Sequence, residues 1–127
     1  MIVAVSAAGT EIGSPVDPRF GRCRYFLFFD TESKSVEAEP NPAGQAGGGA
    51  GIQAAQLVAG KGTQVLLTGN VGPNAHQALS AAEITVYTGM SGSVKEAIDC
   101  YLSGQLSAAD SPTVPPHHGM RGGRGGA

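Results

Sequence analysis

One cysteine surrounded by arginines is the feature of this sequence with the most chemical potential. Cys23 stands in the stretch 17–26, where Arg19, Arg22 and Arg24 lie within four residues of it. Neighbouring cations stabilise a thiolate, and a thiolate is the ligand that iron–sulfur and other soft-metal clusters select. An alternative stays open, in which Cys23 is a small buried hydrophobe before a strand and the arginines are ordinary surface charge.

Few other side chains offer metal-binding chemistry. His76 is predicted to lie in the first turn of a helix near the same loops, so we consider it a weaker second ligand, although a lone histidine is more often a capping or solvated side chain. Met90 and Cys100 are interpreted as packing residues. His117 and His118 are adjacent imidazoles with no fixed geometry, which is a weak metal-binding signal.

Length and composition indicate a single domain with no polyanionic partner. The chain has 127 residues, only 14% of them charged, and a formal net charge of −2. This balance argues against a nucleic acid or a membrane surface as partner. The sequence begins without the pattern of a signal peptide, and no apolar run approaches the ~20 residues of a membrane span, so a cytoplasmic protein is expected.

Hydrophobic periodicity predicts the element order strand, strand, strand, helix, strand, helix, strand, helix. Strands are predicted at 2–5, 25–29, 36–39, 65–68 and 84–87. The first helix follows the glycine loop and would bury Ile52, Ala55, Gln56 and Ala59, the second opens at 72–74, and Ser93 with Glu96 forms a capping box for the third.

This order predicts an α/β domain over residues 1–106 with helices on a mixed five-stranded sheet. The early meander and the right-handed crossovers that follow give the strand order 3-2-1-4-5. Residues 107–127 are rich in Pro, His and Gly and are predicted to be a flexible tail.

Glycine-rich loops are predicted to meet beyond the carboxyl ends of the parallel strands, where open α/β sheets bind ligands. They follow the first, fourth and fifth strands, and 47–51 opens a helix at the same edge. Exposed N–H groups and helix dipoles there favour a bulky anion. Each loop could equally be only a tight turn, and none carries a nucleotide-binding fingerprint.

An enzymatic role is disfavoured by the inventory of side chains. No Ser, His and acid arrangement stands out. The strand order is similar to that of ribonuclease H, whose two-metal chemistry needs acids on the first strand, the first helix and the end of the fourth strand. In this chain those positions correspond to residues 2–5, 52–59 and 68–70, which include no acidic residue.

Four motifs in order resemble the dinitrogenase iron-molybdenum cofactor biosynthesis family. They are Phe20-Gly21-Arg22 before an aromatic strand ending in Asp30, Asn41-Pro42 before the glycines 47–51, Gly72-Pro73-Asn74-Ala75, and the glycines 89–92 before 94–98. The family includes NifX and NafY cofactor-binding domains, the C-terminal domain of many NifB proteins, and stand-alone members. The resemblance implies a ribonuclease H-like three-layer fold with helices on both faces, no nuclease activity, and a part in nitrogen fixation.

The resemblance also implies binding of iron–sulfur or iron–molybdenum cluster precursors, with two departures. Family members often have His where this chain has Arg19, and a small residue where it has Cys23. Either the cysteine replaces the missing histidine as a cluster ligand, or the site is lost.

The sequence-based hypothesis is therefore a non-enzymatic protein that carries an anionic metal–sulfur cluster and exchanges it with cofactor-assembly proteins. The alternative is a protein-interaction or regulatory domain of the same fold that binds no cofactor. The predicted metal ligands are Cys23 and His76, and the predicted cofactor-binding residues are Arg19, Phe20, Gly21, Arg22, Arg24, Gly48, Gly49, Asn70, Gly72 and Asn74.

Overall fold

A computed structural model describes residues 1–42, 49–104 and 106 of the chain. The strands are β1 (Ile2–Ala7), β2 (Tyr25–Asp30), β3 (Val36–Pro40), β4 (Thr63–Leu67) and β5 (Thr85–Tyr87), and the helices are α1 (Ala50–Gly60), α2 (Pro73–Ala81) and α3 (Val94–Leu102). The predicted order of elements is confirmed. Gly48 and the predicted tail, 107–127, lie outside the described residues.

The strands form one mixed sheet in the order β3-β2-β1-β4-β5, as the sequence predicted. β1 pairs antiparallel with β2 and β2 with β3, whereas β4 runs parallel to β1 and to β5. The carboxyl ends of β1, β4 and β5 therefore lie at one edge. The loops that follow these three strands meet there.

Alternation along β1 separates two apolar cores, which gives the predicted three layers. Ala4 faces a core with the buried residues of α1 and α2, while Val3 and Val5 face a second core with those of α3. Because successive strand side chains point to opposite faces, a continuous apolar run such as β1 indicates a strand covered on both sides. The helices thus lie on both faces of the sheet, with α1 and α2 together.

The buried face of α1 differs from the one predicted. Ala50, Ala54, Ala55 and Val58 are buried, whereas Ile52, Gln56 and Ala59 are exposed. Ile52 was expected inside because helical spacing puts it on one face with Ala55, Gln56 and Ala59. Its position faces away because α1 packs against α2 through its small residues, which allow the two helix starts to approach closely.

Among the described residues, no helix is both long and apolar enough to cross a membrane.

Candidate functional site

A cleft of about 530 Å³ opens between the start of α1, the start of α2 and the loop before β2. Its wall combines two cationic side chains with glycine-rich backbone. The lining residues are Arg19, Phe20, Gly21, Arg22, Ala50, Gly51, Asn70, Gly72, Pro73, Asn74 and Ala75. Seven of the ten predicted cofactor-binding residues are in this set, and we refer to the space as the cleft.

Backbone hydrogen bonds fix the loop that carries Arg19 against the loop after β4. The N–H of Asn70 donates to the carbonyl of Pro18 at 2.7 Å, and the N–H of Phe20 donates to the carbonyl of Asn70 at 3.4 Å. The side chain of Asn41 also holds the loop, since its Nδ2 donates to the carbonyls of Gly21 at 3.3 Å and Cys23 at 3.0 Å. The loop is therefore held at both ends.

Three small residues bring the walls of the cleft into direct contact. A Cβ on Gly21 would lie 3.0 Å from the Cα and N of Gly51, and a Cβ on Gly51 would lie 3.0 Å from the Cβ of Ala75. These separations leave almost no space for larger side chains at Gly21 and Gly51. The loop and both helix starts consequently converge on a single point.

The starts of α1 and α2 present backbone donors to the cleft. α1 begins after Gly49, whose φ of +71° is in the left-handed region, and α2 begins after Gly72. Neither preceding residue caps its helix through a side chain. The first N–H groups of a helix have no acceptor within the helix and carry the positive end of its dipole, so both starts favour an anion.

The start of α3 does not take part, in contrast to the prediction that all three helix starts would share one pocket. Ser93 and Glu96 form the predicted capping box, and the N–H groups of Val94 and Lys95 donate to the carbonyls of Ser14 and Ile12, both at 2.9 Å. The loop after β5 does reach the same edge of the sheet. Its helix, however, lies on the other face, and its donors are already satisfied.

Arg19 reaches the cleft as half of an ion pair. Its Nε donates to Oδ1 of Asp17 and its Nη2 to Oδ2, both at 3.2 Å, while its backbone N–H donates to Oδ1 at 3.0 Å. The hydrogen bond and the charge of Asp17 raise the pKa of Arg19. Asp17 is buried, whereas 64% of the Arg19 side chain is exposed, so the guanidinium stands between a buried carboxylate and the open cleft.

Arg22 lines the cleft, but Arg24 does not, contrary to prediction. Arg24 is exposed on a neighbouring depression of about 540 Å³, which it shares with Arg22, Glu39 and Asn41. Because Arg24 immediately precedes β2, its side chain points away from the direction of the buried Cys23. The predicted group of three arginines is reduced to Arg19 and Arg22.

Cys23 is in the core and is not an exposed thiolate, so its assignment as a metal ligand must be corrected. Its relative exposure is 0%, and its Sγ donates to the carbonyl of Phe20 at 3.3 Å. Burial, and next the negative charge of Asp17, raise the pKa of the thiol to about 12. The thiol is buried and is not among the residues that line the cleft, so the structure gives no support to its assignment as a ligand there. The alternative of a small buried hydrophobe describes Cys23 correctly.

His76 lies in α2 directly after the cleft residue Ala75 and is partly exposed, but it is not among the lining residues. The described residues contain no group of three or more His, Cys, Asp or Glu placed to hold a metal ion. Neither member of the predicted ligand pair, Cys23 or His76, is among the residues that line the cleft. What the cleft offers a ligand is N–H donors and positive charge.

Asp17 is the site residue that the sequence analysis missed. The Asp17 carboxylate accepts the backbone N–H of Arg19, two residues later, which forms an Asx turn. Such a turn is a local signal for a structured loop. The opposite charges of Asp17 and Arg19, two residues apart, are a second signal from which their ion pair could have been found.

Comparison with known proteins adds a sequence match to this geometry. The profile of a family described as dinitrogenase iron-molybdenum cofactor matches residues 1–104. An uncharacterized protein of Methanocaldococcus jannaschii is 32% identical over 104 residues, which cover 76% of this chain and 88% of the relative.

Solved structures with the same fold are also similar in sequence. The apo form of the orange protein from Desulfovibrio gigas is 41% identical with a TM-score of 0.87, and the alignment covers 89% of this chain and 96% of that one. A NifB-like protein from Thermotoga is 39% identical with a TM-score of 0.75, over 84% of this chain and 91% of that one.

Proposed function

The chain belongs to the dinitrogenase iron-molybdenum cofactor family, and from that premise we propose that it is a non-enzymatic carrier of an anionic metal–sulfur cluster. The cargo would be an iron–sulfur or iron–molybdenum cluster, or a precursor of one, in metallocofactor biosynthesis. Its donors and recipients would be cofactor-assembly proteins in the cytoplasm. The NifB-like relative and the orange protein, whose structure is of an apo form, support a role in binding a cofactor.

The observation that carries the proposal is the convergence of two uncapped helix starts and two arginines on one cleft. Backbone N–H groups and guanidinium N–H groups donate hydrogen bonds to anions, and the helix dipoles add positive potential. Sulfide atoms on the surface of a cluster are hydrogen-bond acceptors, and such bonds modify cluster properties in proteins. The cargo would thus be held by hydrogen bonds and charge, without a Cys23 bond.

Non-covalent retention suits a carrier, because the cargo has to leave again. A cluster bonded to several thiolates exchanges ligands on release, whereas a cluster held by N–H donors leaves by dissociation alone. Pro73 is exposed at the start of α2 and gives the cleft an apolar patch beside the arginines. Poorly hydrated sulfide surfaces are favoured over water at such a patch.

Gly72 provides a direct test of where the cargo sits. A Cβ on Gly72 would meet no protein atom within 4 Å, and its φ of −76° suits any residue. Gly72→Ala should therefore fold normally and place a methyl group at the cleft, which should weaken retention about tenfold by steric exclusion. Gly60→Ala is the matched control, because Gly60 is equally open but stands at the far end of α1.

The measurement is anaerobic incubation with a preformed iron–sulfur or iron–molybdenum cluster, followed by gel filtration. We expect visible absorption and metal to coelute with the wild type and with Gly60→Ala, and to decrease with Gly72→Ala. If the wild type elutes without metal, the protein is not a carrier and the interaction-domain alternative applies. If Gly72→Ala retains as much metal as Gly60→Ala, the cargo binds outside the cleft.

A further inference from the structure

Asp17 supplies a negative charge directly behind the cationic wall of the cleft. Its side chain is 6% exposed, and its two carboxylate oxygens accept three N–H groups, all of them from Arg19. The charges that the described residues place at this wall are Arg19 and Arg22, offset by Asp17. These three side chains together carry one net positive charge. The two arginines that line the cleft would carry two without Asp17.

The geometry also fixes which part of Arg19 remains for a ligand. A guanidinium has five N–H groups, and the pair with Asp17 uses the Nε–H and one N–H of Nη2. Three N–H groups remain, directed away from the carboxylate. Arg19 thus offers oriented hydrogen bonds with its charge largely compensated.

The backbone of Asp17 is fixed to the sheet, so the carboxylate cannot easily move away. Its N–H donates to the carbonyl of Ser6 at 2.9 Å, and its carbonyl accepts the Ser6 hydroxyl at 2.6 Å. Since that hydroxyl proton is used, the 2.7 Å contact between Ser6 Oγ and Thr68 Oγ1 requires Thr68 to donate. The carboxylate charge of Asp17 also acts on its surroundings, since it helps to raise the pKa of the Cys23 thiol.

We propose that Asp17 is a specificity-determining residue, whose buried charge excludes small multiply charged oxyanions such as phosphate and sulfate from the cleft. A compact dianion has to approach Arg19 closely to bind, which brings all its charge near Asp17. A larger anion spreads its charge over the cleft towards Arg22 and the helix starts, and so lies on average farther from the carboxylate. This inference rests on the proposed function, in which the cleft is the cargo site. It adds that the cleft rejects small oxyanions that would compete with the cargo.

The test measures binding of inorganic phosphate and sulfate to the full chain by isothermal titration calorimetry. Amide NMR shifts of Gly51 and Asn74 locate the site. Asp17→Asn keeps the shape but removes the charge, and it should bind both anions about tenfold to a hundredfold more tightly than the wild type. Asp17→Glu, which keeps the charge, should not gain affinity.

A second variant adds a positive charge to the cleft without altering the ion pair between Asp17 and Arg19. Asn70 lines the cleft with an exposed side chain, so Asn70→Lys should fold and should also gain phosphate affinity. The proposal is overturned if Asp17→Asn gains no affinity, whether or not Asn70→Lys does, or if Asp17→Glu gains as much as Asp17→Asn. These titrations use no cluster, so their failure is distinct from a wild type that fails to retain metal.

Discussion

At the scale of single residues, the structure separates the thiol from the positive charge that the sequence places beside it. Cys23 and Phe20 both belong to the core of α1 and α2, while Arg22 is exposed between them. The sequence alone does not reveal this, because the direction of a side chain in a short irregular loop depends on the turn. The arginines of the loop indicated a cationic surface, which Arg19 and Arg22 form at the cleft, whereas the burial of the cysteine was not predictable.

Protonation of Cys23 should make stability depend on pH in the alkaline range. The pKa of the thiol is about 12 when folded and about 9 when unfolded, so the folded state holds a proton that the unfolded state releases. The stabilisation is complete below pH 9 and is lost as pH rises towards 12, by about 1.4 kcal/mol per pH unit. Urea unfolding should show wild type more stable than Cys23→Ala by about 1 kcal/mol at pH 7, and this gap should narrow above pH 9 and reverse sign at about pH 10.

A constant gap across that range would mean that the thiolate forms inside the folded protein, contrary to the burial seen here. Other groups that titrate above pH 9 are common to both proteins, so the difference isolates Cys23.

Cargo retention provides a second test of the same residue. Cys23→Ala should retain a preformed cluster as well as the wild type does, because the thiol does not face the cleft. The measurement is metal per protein after anaerobic gel filtration. A large loss in a variant with an unchanged amide NMR spectrum would restore Cys23 as a ligand.

At the scale of elements, the three helices have different roles although each begins at the same edge of the sheet. α1 and α2 direct their first N–H groups at the cleft, and the N–H groups that open α3 bond to the loop after β1. The sequence predicted the capping box of α3 from Ser93 and Glu96. It predicted helices on both faces but did not assign each helix to a face, because the face on which a helix packs follows from the crossover and not from its own residues.

Ser93→Ala should separate the stability of α3 from the function of the cleft. The Ser93 hydroxyl accepts the N–H of Glu96 at 3.1 Å, and removing it should cost about 1 kcal/mol of unfolding free energy. Cargo retention should not change, since α3 packs on the opposite face. Urea unfolding and gel filtration of the loaded protein measure the two effects, and a parallel loss of cargo would contradict the division between helices.

At the scale of the whole molecule, the distribution of charge matters more than its sum. The formal net charge is −2, yet two arginines line the cleft. Composition predicted that nucleic acid would be no partner, but it gave no indication of a local positive site. The order of the strands was predictable because hydrophobic periodicity and crossover handedness leave few topologies for this set of elements.

Cargo binding should weaken as salt concentration rises. Exposed charges are screened beyond about 10 Å at 0.1 M salt, so retention should fall a few-fold between about 0.05 and 0.5 M KCl. Arg22→Gln should bind less tightly and respond less to salt, whereas Arg24→Gln removes the same charge outside the cleft and should behave as wild type. Equal effects of the two variants would mean that only overall charge is sensed.

The two outer strands bear on how the molecule behaves at high concentration. β5 spans only three residues, and β3 carries Glu37 and Glu39, both paired with Lys61, and ends at Pro40, which lacks an N–H. Charge, brevity and proline at a sheet margin discourage another polypeptide from adding a strand. The protein should therefore resist edge-to-edge aggregation even when it is concentrated.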